Sequence, residues 1–257
     1  MAKYITVGDI HGRYDLLVKL LGMAESRFPD HRLIFLGDMV DRGPDSFQVV
    51  DTIKKLTETT NAIALLGNHE DMMLEYARKR WVDRQDNWMY NGGRKTVESY
   101  GKATKLYGNA KFFTAFGQTH QTWMRDLPIY YETDEIWISH APVPAADVLR
   151  NRRSDFRIDK ELLTWATHHQ YGGTEESFAY DHGKLAVCGH VHALTDKIMG
   201  HRRYKSRGDY DKIVYADSGS GCWHAAPLSG VVIDEGKVQT VLEAWPVSKE
   251  ESEKSRL

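Results

Sequence analysis

The chain has 257 residues, a formal charge of −2 and two cysteines. That length carries one large domain with a substantial core. The small charge excludes a global field that gathers nucleic acid, two cysteines exclude a disulfide framework, and no apolar run reaches the roughly 20 residues that span a bilayer. Sparse cysteine and no signal segment point to a reducing cytoplasm.

In chain order, Tyr4-Ile5-Thr6-Val7 reads as a strand that stops on Gly8-Asp9-Ile10-His11-Gly12. A helix follows, with Leu16, Leu17, Leu20 and Leu21 on one face. Leu33-Ile34-Phe35-Leu36 is the next strand and stops on Gly37-Asp38-Met39-Val40-Asp41-Arg42-Gly43. A second helix carries Phe47, Val50, Ile53 and Leu56. Ala62-Ile63-Ala64-Leu65-Leu66 then stops on Gly67-Asn68-His69-Glu70. Asp9, Asp38 and Asn68 are spaced by about 30 residues, the size of a right-handed βαβ unit. The three strands are therefore expected to run parallel, with their ligand-bearing ends on one carboxyl edge.

From Glu70 to about Asp126, Met72, Met73, Leu74, Tyr76, Trp81, Trp88 and Met89 lie among charges without strand alternation, which predicts helices beside the sheet. Asn91-Gly92-Gly93 reads as a helix end or turn. Strand signals return at Ile129–Tyr131, Ile136–Ser139, Leu185–Cys188, Ile213–Tyr215, Val231–Ile233 and Val238–Glu243. The turn Asp234-Glu235-Gly236-Lys237 suggests a hairpin, and this half is expected to be antiparallel. The expected class is α/β: two packed sheets with helices outside, in a single domain over residues 1–247. The charged residues 248–257 read as a disordered tail.

Two later strands also stop on imidazole, at His140 and at His190-Val191-His192. Taken singly, a Gly-Asp after a strand is an ordinary turn and a strand-end His an ordinary polar residue. The joint pattern is what points to a metal site. Asp38 lies centrally and a carboxylate has two oxygens, so it can bridge two cations. Metal one would take Asp9, His11 and Asp38. Metal two would take Asp38, Asn68, His140 and His190. This O/N donor set suits manganese, iron or zinc and argues against an all-oxygen calcium site. Glycine precedes four of the five clusters, which fits tight turns and close backbone approach.

Gly8-Asp9-Ile10-His11-Gly12, Gly37-Asp38-Met39-Val40-Asp41-Arg42-Gly43 and Gly67-Asn68-His69-Glu70 resemble the three signature blocks of the phosphoprotein phosphatase family of calcineurin-like metallophosphoesterases. The chain looks most like its compact bacterial and phage branch, lambda-phosphatase-like, and the symmetrical diadenosine tetraphosphate hydrolases share the blocks. The resemblance runs from about residue 3 to residue 245. It implies a four-layer α-β-β-α fold and a pair of divalent ions, often Mn²⁺. It also implies His69 as general acid oriented by Asp41, with Arg42 binding phosphate oxygens through its planar fork. It implies Asn68 as a contact to the phosphate of the substrate as well. Water activated between two dications attacks phosphorus in line.

The chain departs from the family pattern twice. Gly189-His190-Val191-His192 resembles the Gly-His-x-His of the wider superfamily, and alternation at a strand end would put both rings on one side. His192 is therefore a seventh candidate ligand, the alternative being a position behind the ligands or in solvent. The resemblance also implies a phosphate-clamping arginine on the helix after His140, yet Leu162-Leu163-Thr164-Trp165-Ala166-Thr167-His168-His169 contains none. Arg150, Arg152, Arg153 or Arg157 from the preceding loop, or His168, would replace it, unless the clamp is weaker or these arginines are simply solvated. Arg153 is taken as the candidate. His201-Arg202-Arg203-Tyr204-Lys205 and Arg207-Gly208-Asp209 read as an exposed basic loop and a turn.

The expected activity is a metal-dependent phosphomonoesterase acting on phosphoserine and phosphothreonine in proteins, or on small phosphoesters. The rivals are a hydrolase of diadenosine tetraphosphate, cyclic nucleotides or RNA ends, and a catalytically silent binding module. No membrane partner is expected.

Overall fold

The structure, a computed structural model, describes residues 3–79, 87–142, 160–166, 184–192, 213–222 and 226–246. Strands β1 (Lys3–Val7), β2 (His31–Phe35) and β3 (Ile63–Ala64) form on the apolar runs and pair parallel in the order β3-β2-β1. Helices α1 (Tyr14–Arg27) and α2 (Ser46–Thr59) are the crossovers. Leu16, Leu17, Leu20 and Ala24 are buried on α1, and Val49, Val50 and Ile53 on α2, as a period near 3.6 requires. β3 is short because the chain turns away at once: Leu65 N–H still bonds Phe35 O at 2.9 Å, but Leu66 N–H bonds Pro128 O at 2.9 Å.

The expected helical region is α3 (Asn68–Lys79), a π-turn over Met89–Gly93, α4 (Arg94–Thr104), α5 (Asn109–Thr119) and α6 (Gln121–Arg125). Asn91-Gly92-Gly93 marks a turn between helices, as expected. Gly92 takes φ 109° inside the π-turn and α4 starts directly after it.

The second half corrects the expectation of an antiparallel region. β4 (Tyr130–Glu132) pairs antiparallel with β5 (Ile136–Ser139), but β5, β6 (Leu185–Cys188) and β7 (Ile213–Tyr215) pair parallel, in the order β4-β5-β6-β7. The chain between β5 and β6, and between β6 and β7, is long enough for crossovers, whereas antiparallel neighbours need only a tight turn. The predicted hairpin does form, from β8 (Leu228–Asp234) and β9 (Lys237–Ala244), with Glu235 at φ 51° and Gly236 at φ 65° in its two-residue turn. It joins the first sheet, where β8 lies antiparallel to β1 and completes the order β3-β2-β1-β8-β9.

Alternation along the strands assigns the layers. Ile5, Val7, Leu33 and Phe35 face α1, α2 and the helical region, together with Tyr76, Trp88, Phe112 and Phe116. Ile34, Leu36, Ile136, Ile138, Val187, Val231 and Ile233 meet between the two sheets. Trp137 packs outward with Leu162 and Leu163 of α7 (Lys160–Trp165). The result is α-β-β-α: two mixed sheets flanked by helices. Cys188 is buried in β6. Among the described residues no helix is long and apolar enough to cross a membrane. Arg150, Arg152, Arg153, Arg157, His168, His169, Trp81, residues 201–209 and the tail from 248 to 257 lie outside the described residues.

Candidate metal centre

The ends of β1, β2, β3, β5 and β6 bring the predicted residues to one place. Asp38 is at its centre. Its Oδ1 is 3.4 Å from His140 Nε2, while its Oδ2 is 3.5 Å from His11 Nε2 and 3.9 Å from His69 Nε2. Two groups of donor atoms result, each with all atoms within 4.8 Å of one another: His11, Asp38 and His69, and Asp38, His140 and His190. Asp38 is shared, one oxygen to each side. Asp9 belongs to neither group; its carboxylate accepts the His190 backbone N–H at 3.1 and 3.3 Å. His69, expected beside the metals rather than on them, stands in the first group.

The hydrogen bonds behind these side chains set the tautomers. His11 Nδ1 donates to Val40 O at 2.9 Å, His140 Nδ1 to Leu36 O at 2.8 Å, and His69 Nδ1 to Asp41 Oδ2 at 2.7 Å. For His11 and His140 a neutral ring therefore points its Nε2 lone pair inward, the arrangement that ligating histidines share. Asn68 Oδ1 lies 2.9 Å from His140 Nε2 and 3.1 Å from His190 Nδ1. Turning the amide over would let its NH₂ group donate to these atoms and to Asp38. With Oδ1 inward, lone pairs converge as they do around a cation. On the other side a cation is already among the donors: Arg42 reaches His11 Nε2 at 2.6 Å and His69 Nε2 at 3.0 Å. The donor set fits a pair of divalent ions.

Electrostatics agree. Burial works against ionising Asp38, but His140, His69 and His11 more than offset it and hold its carboxyl well below the usual range. Asp9 goes the other way, pushed well up by burial and then by the charges of Asp217 and Asp38. Burial, followed by His69, lowers His11; burial, followed by His140, lowers His190 to about 3. For His69 burial is outweighed by Asp38 and by the bond to Asp41, so its proton affinity rises. Buried His11 and His190 are thus kept neutral beside the ionised carboxylate of Asp38, an environment that suits positive ions.

The backbone is held in uncommon conformations to achieve this. His11, Asp38, Asp41, Arg42 and His190 all have left-handed φ, between 47° and 73°, although none is glycine. Glu70 secures the loop after β2. Its carboxylate accepts N–H groups from Asp38 at 2.7 Å, Met39 at 2.8 Å, Val40 at 3.1 Å and Gly67 at 3.1 Å. Gly67 must be glycine, since a Cβ there would collide with the amide and carboxylate of Asp38.

Asp41 is fully buried, and besides His69 it accepts bonds from Thr96 Oγ1 at 2.6 Å and Trp88 Nε1 at 2.8 Å. Trp88 is thus more than the core residue its neighbours in the sequence suggest. His192 does not alternate with His190 on a strand, because β6 has ended at Cys188 and His190 sits in a left-handed turn. Its Nε2 faces Asp217 Oδ2 at 3.1 Å and Cys222 Sγ at 3.4 Å. Glu70, Trp88, Thr96, Asp217 and Cys222 were not singled out from sequence as site residues. Glu70 sits next to a predicted one, but the other four are distant in the chain and carry no local signal.

The family described as calcineurin-like phosphoesterase matches residues 2–194. The chain belongs to this family. It is a metal-dependent phosphoesterase, and the clustered His and Asp side chains are where this family's divalent metals fit. A serine/threonine-protein phosphatase 1 of Salmonella typhimurium is 27% identical over 220 residues, covering 83% of this chain and 85% of that protein. An asymmetrical bis(5'-nucleosyl)-tetraphosphatase of Anoxybacillus flavithermus is 41% identical over 130 residues, covering 43% of this chain and 51% of that protein. The chain thus spans about half the length of this second relative. A crystal structure described as a candidate diadenosine tetraphosphatase superposes with a TM-score of 0.59 at 21% identity, covering 96% of this chain and 95% of that one, which speaks to the fold.

Proposed function

We propose that this phosphoesterase is a phosphomonoesterase whose best substrates are phosphoserine and phosphothreonine in proteins. The observation that carries the reading is the buried pair Asp41–His69, 2.7 Å apart, with His69 Nε2 turned towards Asp38. A serine or threonine alkoxide is a poor leaving group and needs a proton as the bond to phosphorus breaks. A nucleoside polyphosphate leaves as a stable anion and gains little from an acid. The relative that matches most of the chain, named as a serine/threonine phosphatase, supports the same choice.

Asp9, His11, Asp38, Asn68, His140 and His190 are the proposed ligands of two divalent ions. His192, held on Asp217, is a further candidate at the rim. When bound, such ions supply Lewis acidity and a water acidic enough to deprotonate near neutral pH. Manganese is the preferred metal, with iron or zinc compatible with the same donors. His69 gives its Nε2 proton to the leaving oxygen while Asp41 keeps Nδ1 protonated and the ring in place. Arg42 presents two N–H groups in one plane, suited to two oxygens of the transferred phosphoryl group. Asn68 lies on the same face, and Arg153 is the candidate second clamp.

The nucleotide reading keeps support from the tetraphosphatase-named relatives. Turnover of a phosphoserine peptide, diadenosine tetraphosphate and a 2′,3′-cyclic nucleotide, measured side by side, decides between them. The peptide is expected to have the highest kcat/KM; preference for either nucleotide overturns the assignment.

A further inference from the structure

Asp41 is gripped from the helical layer, by residues far from the signature blocks. Trp88 is fully buried against Tyr76 and Phe112, at ring separations of 4.8 and 5.5 Å. Ring packing alone makes no use of the indole N–H, which is aimed at the Asp41 carboxylate, 2.8 Å from Oδ2 and 3.0 Å from Oδ1. Thr96, on α4, spends its hydroxyl on the same residue. It accepts the Asp41 backbone N–H at 2.9 Å and meets Oδ1 at 2.6 Å. A threonine within a helix ordinarily bonds back to its own helix.

The π-turn between them explains its two glycines. A Cβ on Gly93 would lie 2.6 Å from the Trp88 ring. A Cβ on Gly92 would lie 2.6 Å from Arg42 N, and Gly92 O accepts that N–H at 3.4 Å. Only without side chains can this turn touch both Arg42 and Trp88 and so bring the helical layer onto the loop after β2.

We propose that Trp88 and Thr96 are positioning residues for the acid pair: together they fix the Asp41 carboxylate, and through it the orientation of His69. Both act through Asp41 and touch no substrate. The inference rests on the reading of His69 as general acid.

The test compares phenyl phosphate, a poor leaving group, with p-nitrophenyl phosphate, a good one, in the manganese-loaded full chain. Trp88→Phe is expected to lower kcat on phenyl phosphate about tenfold, a part of the roughly 10²–10⁴ that general acid catalysis supplies. On the nitrophenyl ester its kcat stays within about twofold, because little proton transfer is needed there. Thr96→Val gives the same split and Thr96→Ser restores the parent ratio. A purely structural role lowers turnover of both esters together, and that result overturns the inference. If Trp88→Phe does not fold, as judged by its melting curve, the two Thr96 variants carry the same test. His69→Asn is the control. If it shows the leaving-group split and the Trp88 and Thr96 variants do not, positioning fails while the acid stands. If His69→Asn shows none, the acid assignment falls and the inference with it.

Discussion

The Glu70 carboxylate accepts the backbone N–H of Asp38 at 2.7 Å. The residue placed to bridge two metals is therefore held by a side chain two positions beyond Asn68, itself a proposed ligand. Glu70 also takes the N–H groups of Met39, Val40 and Gly67, so one buried carboxyl group joins the turns after β2 and β3. Glu70→Gln keeps the shape but turns an NH₂ group towards backbone donors. It is expected to cost about 1–3 kcal/mol of stability and to weaken manganese binding about 10–100-fold. Calorimetric titration and thermal melts measure the two. Lower stability with unchanged metal affinity would show that Glu70 supports the fold alone.

Chelation is expected to abolish p-nitrophenyl phosphate hydrolysis, with recovery on adding Mn²⁺. Asp38→Asn removes the negative charge shared by the two donor groups and is expected to lower kcat by at least about 10³, given how much a metal-activated water contributes. Metal content per chain, read by mass spectrometry, should fall in step. A variant that keeps both ions and full turnover excludes Asp38 as the bridge.

Asp41 is bonded by three donors, Thr96, Trp88 and His69, so an amide at position 41 must set an N–H against one of them. Asp41→Asn is expected to slow phenyl phosphate turnover about 10²–10⁴-fold, with a smaller loss on the nitrophenyl ester. Its pH profile should move as well. Asp38 and Asp41 raise the proton affinity of His69, so the parent keeps its acid protonated to higher pH and loses activity as pH rises through that raised value. Removing one of the two anions should bring the alkaline limb to lower pH; an unmoved limb would assign it to another group.

His120 gives a stability prediction away from the metals. It is buried under Phe47 and Tyr100, with Nδ1 2.7 Å from the Tyr100 hydroxyl and Asp51 3.6 Å from Nε2. Burial lowers its pKa from the usual 6.5 to about 4, against a partial pull from Asp51. The unfolded chain then binds the extra proton first. His120's contribution is fully present above pH 6.5 and is lost as pH falls towards about 4, amounting to roughly 3 kcal/mol. The melting temperature of His120→Gln should fall less between pH 7 and pH 4 than that of the parent. Parallel curves would mean His120 titrates normally.

Much of the site is legible along the chain because strand-end chemistry is local. Asp9, His11, Asp38, Asn68, His140 and His190 each follow directly on an apolar run, and the βαβ spacing places the first four on one edge. The same locality misled for His192, since a strand's alternation ends where the strand does, at Cys188. It also misled for the second sheet, where strand signals carry no direction and the long connections decided for parallel pairing.

By itself the sequence determined the α/β class, the helical stripes, the C-terminal hairpin and the identity of the clustered residues, all set by periodicity and nearest neighbours. Only the tertiary structure decided which oxygen of Asp38 faces which histidine, that the hairpin lies beside β1, and that Glu70, Trp88 and Thr96 stand behind the catalytic loop. Those outcomes depend on burial. A carboxylate taken out of water must find every donor it can, and which donors are near follows from how the layers pack rather than from what lies next in the chain.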